Sequence, residues 1–468
     1  MESANLLNFS ASDFKEGTVF KKEQKIHFVG IGGSGMSGIA EVLLNLGHKV
    51  SGSDIKKTEV TQRLKQLGAK IYIGHHAQNV KKVDVVVTST AIPKDNPEVI
   101  QAVKNKIIII PRVEMLAELA RLKYTITIAG THGKTTTTSM TSMVLDAGGL
   151  DPTIVIGGKL KNLKSSARLG KGEYLIAEAD ESDGSFLKLS PVITVVTNID
   201  NDHLDYYKTM ENLKDAFVKH MNSVPFYGCS IICTDNSLVK EVIPRLTRKY
   251  ITYGLTGKPD VTAKDIKVVN GNTEYSLIYK NKKLGKIILR VPGEHNILNS
   301  LAAITVGLQY NIAFASIQNA LNTYGGVGRR IEIKGEKNGI TVIDDYGHHP
   351  TEIEATLSAI KHNWKNKKLI ALFQPHRYTR TQNLYREFGK ALKKADAVYV
   401  MDIYPASEKP IKGVTSDLII KSAKENKCNV FKFTNTKAIA DVLKQGDIFL
   451  TIGAGSVWQK GEELLTLI

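Results

Sequence analysis

Tyr124-Thr-Ile-Thr-Ile-Ala-Gly130-Thr-His-Gly-Lys134-Thr-Thr-Thr-Thr138 is an apolar, partly β-branched run that breaks into a glycine turn, a lysine and a block of hydroxyls. Thr125 to Ala129 predicts a buried strand. Gly130 and Gly133 predict a turn that aims backbone N–H groups at an anion where the next helix starts. In that arrangement Lys134 reaches the terminal phosphates and the Thr135 hydroxyl faces a magnesium ion, with Thr131, His132 and Thr136 in the same loop. The spacing departs from G-x-x-x-x-G-K-[ST], because Ile128 stands where the first glycine of the longer motif would fall. The alternative, an ordinary glycine-capped turn, leaves Lys-Thr at the helix start unexplained.

A chain of 468 residues is too long for one core, so several domains are expected. Its 42% hydrophobic and 23% charged content is that of a soluble globular protein. Cys229, Cys233 and Cys428 have no metal-ligand spacing and are odd in number, which predicts reduced thiols rather than disulfides or a zinc site. Ile107 to Ile110, the longest aliphatic stretch, is far short of the ~20 residues that span a bilayer. The first residues lack a basic start and an apolar core, so a cytoplasmic protein is expected. The net charge of +17 raises the question of a polyanionic partner. The lysines are scattered without aromatic interleaving, so a solvated surface that attracts small anionic substrates is expected, and no nucleic acid or membrane partner.

Residues 1 to about 23 are polar and read as an arm or a first short element. Lys25 to Val29 predicts a strand, Gly30-Ile-Gly-Gly-Ser-Gly35 a phosphate-compatible turn, and Met36 to Leu46 an amphipathic helix. Lys49 to Asp54 is a second strand, ending in a carboxylate placed where a dinucleotide fold holds a ribose hydroxyl. Helix Thr58 to Leu67, strands Lys70 to Ile73 and Val83 to Ser89, the run Lys106 to Ile110 and helix Arg112 to Leu122 complete a parallel α/β domain. That turn alone suggests a nicotinamide dehydrogenase, but any diphosphate can use it.

Beyond the phosphate loop, two apolar strands end in polar clusters, Glu178-Ala-Asp-Glu-Ser-Asp183 and Asn198-Ile-Asp-Asn-Asp-His-Leu-Asp205. Ligands collect at the carboxyl ends of such strands, so Glu178 and His203 become candidate magnesium ligands. The alternatives are a lysine-paired carboxylate and a loop histidine. Thr262 to Val291, with an Asn270-Gly271 turn, predicts an antiparallel flap. Helix Glu294 to Tyr310 opens with polar groups that suit a purine. A third unit starts near Gly325, whose neighbouring glycines suit a hinge. Its strand Gly339 to Tyr346 runs into Gly347-His-His-Pro350, and Thr351-Glu-Ile-Glu354 has capping-box spacing. Strand Lys368 to Gln374 delivers His376-Arg-Tyr-Thr-Arg380, and Val398 to Asp402 and Ile448 to Gly453 follow.

Eight stretches together resemble the Mur ligases: Gly30 to Glu41, Gly130 to Thr136, Glu178 to Asp183, Asn201 to Asp205, Glu294 to Asn296, Gly328 to Arg330, Asp345 to Pro350 and His376 to Arg380. The resemblance runs from Lys25 to the C-terminus. It implies three α/β domains: a Rossmann-like one over 1–123, a central phosphate-loop ATPase with a mostly parallel sheet over 124–326, and a C-terminal Rossmann-like one over 327–468. It also implies a cytoplasmic, ATP- and Mg2+-dependent ligation in peptidoglycan precursor synthesis. ATP would phosphorylate the lactyl carboxylate of UDP-N-acetylmuramate, and the amine of L-alanine would attack the acyl phosphate. By the same resemblance Gly30, Gly32, Gly33, Ser34, Asp54 and Ser89 would contact the UDP-sugar. The loop from Gly130 to Thr136 would hold ATP, Asn296 and Asp345 would touch adenine and ribose, and Arg330 the phosphates. Thr135, Glu178 and His203 would hold magnesium. Tyr346, His348, Arg377 and Arg380 would contact the amino acid and the acyl phosphate. Several members of the family carry a carbamylated lysine, which here has no counterpart in a convincing motif; Lys214 and Lys219 are the nearby lysines.

Overall fold

The computed structural model describes residues 23–89, 91–156, 167–269, 271–406 and 408–468. The expected first element before residue 23, and Asn270 of the expected hairpin turn, lie outside the described residues. The chain divides into two compact units, Met1–Met115 and Leu116–Ile468.

The first unit alternates strictly. β1 (Lys25–Val29), α1 (Ser34–Asn45), β2 (Lys49–Asp54), α2 (Glu59–Gln66) and β3 (Lys70–Ile73) come first. β4 (Val85–Thr88), α3 (Pro97–Lys104) and β5 (Ile108–Pro111) follow, and the division between the units falls within α4 (Arg112–Arg121). The five strands pair in parallel in the order β3-β2-β1-β4-β5. β5 begins one residue later than the aliphatic run starts, because Ile107 is still bonded to the end of α3 through Ala102. The direction of strand order reverses between β1 and its neighbours, so the crevice for a ligand opens at the end of β1, where the Gly30 turn sits.

The second unit holds two sheets. β6 (Tyr124–Ala129) and α5 (Lys134–Ala147) lead to β7 (Thr153–Val155), β8 (Ala167–Arg168), β9 (Tyr174–Glu178) and β10 (Ile193–Val196). α6 (Leu204–Tyr207), α7 (Met210–Met221), β11 (Cys229–Cys233), α8 (Ser237–Val242) and β12 (Tyr250–Tyr253) continue the parallel part. The expected flap is β13 (Val261–Val269), β14 (Asn272–Tyr279) and β15 (Lys282–Leu289), antiparallel among themselves and joined to β12 at Tyr253 and Val261. The ten strands run β15-β14-β13-β12-β11-β10-β6-β9-β7-β8. α9 (Glu294–Gln309) and α10 (Phe314–Asn322) cover one face with α5. The core here is aliphatic, with Ile126, Ile128, Val144, Val195, Ile231 and Leu301 all buried.

The remaining elements are β16 (Glu332–Lys337), β17 (Ile340–Asp345), α11 (Pro350–Asn363), β18 (Leu369–Phe373) and α12 (Tyr378–Leu392). They are followed by β19 (Ala397–Val400), α13 (Asp417–Glu425), β20 (Val430–Lys432), α14 (Thr436–Ala440), β21 (Ile448–Ile452) and α15 (Trp458–Leu467). The sheet order is β16-β17-β21-β18-β19-β20, parallel except for the edge strand β16. The capping box lies two residues earlier than the Thr351/Glu354 spacing suggests. His349 is the N-cap of α11, and the Glu352 carboxylate accepts from its N–H. Pro350 explains the shift, since its fixed φ suits the first helical position and its missing N–H costs nothing there.

His220, on α7, is buried against Phe186 and bonded to the Thr127 hydroxyl at 3.1 Å. Burial pushes its imidazole down to about 4. The folded chain therefore holds it neutral, and its contribution is intact above the ordinary value of 6.5 and is lost as pH falls towards 4. Chemical denaturation of His220→Leu between pH 6.5 and 4 should show a shallower loss of stability than the parent, by at most ~1.4 kcal/mol per pH unit. Parallel curves would place the titration elsewhere.

Candidate active site

In the second unit, β6 lies between β10 and β9, so their three carboxyl-terminal loops emerge side by side. The phosphate loop after β6 is laced to the loop after β10. Asn198 accepts from Thr131 N–H through its carbonyl (3.2 Å) and from His132 N–H through its side chain (2.8 Å). In return the Thr197 hydroxyl and the Asn198 amide donate to the His132 carbonyl, at 2.6 and 3.0 Å. Two glycines make this closeness possible. Gly130 has φ +129, and a Cβ there would lie 2.1 Å from the Thr197 hydroxyl. Gly133, the N-cap of α5, has φ +83, and its Cβ would meet the Asn299 side chain at 2.7 Å. A side chain at either position would be strained twice, by sterics and by handedness.

Lys134, the first residue of α5, does not point into open space. Its ammonium donates to both oxygens of Glu181 at 3.0 and 2.8 Å and to the Gly130 carbonyl at 2.7 Å. Burial would lower the lysine, but Glu181 and then Asp180 outweigh it, and the group stays cationic. Glu181 also approaches His203 Nε2 at 3.8 Å. This fully buried carboxylate thus joins two expected site residues, although the sequence reading assigned it no role. Glu178 ends β9 and Thr135 opens the second position of α5, both half-buried. Their oxygens are the donors a hard cation prefers, while the His203 imidazole is less typical. Lys214, one of the lysines weighed for a carbamate, is paired with Glu241 at 2.7 Å.

A cavity of about 370 Å3 opens beside the loop. Six expected residues line it: His132, Gly133, Thr136, Asn296, Arg330 and Asp345. So do His295 and Asn299, from the helix start expected to face a purine, and Asp235, Asn236 and Tyr253, which the sequence reading missed. Lys134, Thr135, Glu178, Tyr346 and His348 are not part of this lining. Asp345 is buried and accepts from the N–H groups of Ile331 and Gly347 and from the Thr356 hydroxyl. Burial pushes its carboxyl up to about 6. Arg330 lies over the Tyr346 ring, its guanidinium carbon 5.5 Å from the centroid, and 3.6 Å from Glu352. Its neighbour Arg329 pairs with buried Asp344 at 2.8 Å.

A second cavity of about 180 Å3 is lined by Asp202, His203, Arg377 and Arg380. The expected approach of the two arginines is therefore present, but Arg380 is already engaged. Its Nη2 donates to both Asp202 oxygens at 3.2 and 3.0 Å. Burial raises the Asp202 carboxyl, yet Arg380 and then His203 hold it well below the usual range. His348, whose Nδ1 is 3.1 Å from the Tyr346 carbonyl, is pushed down to about 3 by burial and by Arg380 and His376, against the pull of Glu352. His203, Arg329, Ile331 and Arg377 all hold φ between +46° and +71°. Such conformations cost about 1–3 kcal/mol each and gather where surrounding structure enforces them.

In the first unit, Gly30, Gly32, Gly33, Ser34, Asp54 and Ser89 fall at the carboxyl ends of β1, β2 and β4, on one edge of the sheet. Asp54 serves the turn itself: its Oδ2 accepts from Gly32 N–H at 2.9 Å.

The parallel sheets, with glycine turns at the carboxyl ends of β1 and β6, define an α/β protein of the nucleotide-binding class. The chain matches family models described as Mur ligase family, catalytic domain (residues 25–124), Mur ligase middle domain (128–307) and Mur ligase, glutamate ligase domain (329–455). It is 64% identical over 450 residues to a UDP-N-acetylmuramate–L-alanine ligase of Endomicrobium trichonymphae, covering 96% of this chain and all of that one. The enzyme of the same name from Geotalea uraniireducens is 54% identical over 96% of this chain and 98% of its own. The crystal structure of UDP-N-acetylmuramate–alanine ligase from Thermotoga maritima superposes with a TM-score of 0.81 at 30% identity, over 95% of this chain and 99% of that one. The chain belongs to the Mur ligase family.

Breaking the Arg380–Asp202 pair takes the guanidinium from a largely buried carboxylate and leaves it chiefly His203. Arg380→Ala should destabilise the fold by about 3 kcal/mol in urea denaturation. Adding Asp202→Ala to that variant should recover part of the loss. Simple addition of the two effects would show that the pair is solvated in solution.

Proposed function

We propose that this chain is an ATP-dependent ligase that joins L-alanine to the lactyl carboxylate of UDP-N-acetylmuramate, in the cytoplasmic synthesis of a peptidoglycan precursor. The observation that carries the proposal is the convergence of the loops after β6 and β10 with those after β17 and β18 around two cavities, one nucleotide-sized and one of amino-acid size. The high identity to relatives bearing that enzyme name supports the same reading. The proposed division of labour is 1–123 for the UDP-sugar, 124–326 for ATP and 327–468 for the amino acid.

The chemistry follows from charges placed in advance. The N-terminus of α5 and the cationic Lys134 attract the ATP phosphates. Lys134 would then exchange Glu181 for a phosphate oxygen, one anion for another. A magnesium ion held by Thr135, Glu178 and His203 would neutralise charge on the transferred phosphoryl group. The substrate carboxylate attacks the γ-phosphorus and ADP departs, leaving an acyl phosphate. Alanine's ammonium group first yields a proton to solvent; the neutral amine then attacks the acyl carbon, its surplus proton passes to the departing phosphate, and the amide remains. A planar guanidinium suits the alanine carboxylate, and Arg377 faces the smaller cavity without the fixed partner that Arg380 has in Asp202. His348 is neutral near pH 7, so it adds no positive charge against the incoming ammonium group.

The direct test is phosphate release from ATP with magnesium, UDP-N-acetylmuramate and each amino acid in turn. Release that depends on both the UDP-sugar and alanine is expected. Release stimulated only by a muropeptide, by nucleic acid or by no acceptor would exclude the assignment. Lys134→Ala should lower the rate by several orders of magnitude while calorimetry finds UDP-N-acetylmuramate binding nearly unchanged. Arg377→Ala should raise the alanine KM far more than the ATP KM, and an equal loss on both would assign that arginine to phosphoryl transfer instead.

A further inference from the structure

The side chains of His132, Asp200 and His349 come from three separate segments, namely the phosphate loop, the loop after β10 and the N-cap of α11. They offer two imidazole nitrogens and one carboxylate oxygen, all within 4.8 Å of one another. His132 Nε2 is 2.9 Å from Asp200 Oδ2, and His349 Nδ1 is 3.6 Å from the same oxygen. We propose that these three residues form a binding site for a borderline divalent transition cation of the zinc type, separate from the residues expected to hold magnesium.

The donor set selects the ion. Two imidazoles and one carboxylate suit Zn2+ or Co2+ and are poor ligands for a hard cation that keeps oxygen around it. The outer contacts are those that fix a metal-binding histidine. His132 turns Nε2 to the site while its Nδ1 lies 3.4 Å from the Glu352 carboxylate. His349 turns Nδ1 inward while its Nε2 lies 3.3 Å from the Asn201 carbonyl. In each ring the nitrogen away from the site thus has a carboxylate or carbonyl partner, the pattern that sets tautomer and orientation in metal centres. Asp200 is oriented as well, since its Oδ1 accepts from Asn201 N–H and its Oδ2 from the Thr351 hydroxyl. The two rings are tilted by 36° with centroids 4.9 Å apart, so little chain movement separates the present arrangement from coordination. Ligand atoms around tetrahedral zinc are about 3.3 Å apart, so the widest spacing must contract by roughly 1.5 Å, within reach of side-chain rotation.

A bound ion would tie the phosphate loop to the first turn of α11, linking the two sheets of the second unit. Asp200 also lines the nucleotide-sized cavity, so the site stands at its wall.

The test uses the full chain, freed of metal by chelation and without nucleotide. Zn2+ titrated by calorimetry should bind with a stoichiometry of one, and His349→Ala and Asp200→Asn should each weaken binding at least tenfold. Zinc X-ray absorption of the parent protein at one equivalent should give a first shell of nitrogen and oxygen only, with two imidazoles. Co2+ substitution should give visible bands without thiolate charge transfer. Sulfur in the first shell, which would point to Cys233, overturns the proposal. So do fewer than two imidazoles, binding that survives both substitutions, or no binding at micromolar Zn2+. The absorption measurement needs no variant, so a substitution that fails to fold leaves the proposal open to refutation.

Discussion

The exchange of hydrogen bonds between His132 and the Thr197-Asn198 segment is the constraint on which the site depends. It binds the loop after β6 to the loop after β10 at two points in each direction. The turn therefore has one shape before any ligand arrives, and α5 presents its N-terminus in a set direction. Preorganised N–H groups cost no rearrangement when an anion binds, and this makes them effective. Gly130 is required by the same contact, because a side chain there would push against Thr197 and Asn198, while Gly133 is required by its left-handed φ and the closeness of Asn299 on α9.

Buried charge is arranged around this turn in a connected set. Lys134 has Glu181, His132 has Asp200 and Glu352, and Arg380 has Asp202. Each ion alone would be expensive away from water, and each is compensated by a partner from a different loop. These pairs hold the β6, β9 and β10 loops of the ten-stranded sheet against α11 and α12, which follow strands of the six-stranded sheet. The arrangement ties ligand chemistry to loop position, since an anionic phosphate arriving at Lys134 competes with Glu181 for the same ammonium group.

Much of the architecture was legible in the chain. The strand at Tyr124 to Ala129, the turn and the helix at Lys134 follow from local signals, as do the alternating first unit and the flap. Boundaries moved by one or two residues where a neighbouring element intruded. At α11, Pro350 drew the cap back to His349 and gave Glu352 a role that the Thr351/Glu354 spacing concealed. Among the residues that line the larger cavity, Gly133 and Asn296 stand at helix starts and Asp345 at a strand end, where local pattern points, whereas Arg330 precedes β16 and was marked only by the resemblance to the family.

Sequence alone determined the periodicities, the glycine positions and the residue types delivered to each strand end, because those depend on neighbours within a few residues. Only the tertiary structure decided which delivered groups meet. Lys134 and Glu181 are 47 residues apart, His132 and Asp200 68, and Arg380 and Asp202 178. No local pattern encodes such pairings. Strand order puts β6 between β9 and β10, and the packing of α11 and α12 against the loop after β10 adds the rest, so that distant charges become the nearest compensation for one another.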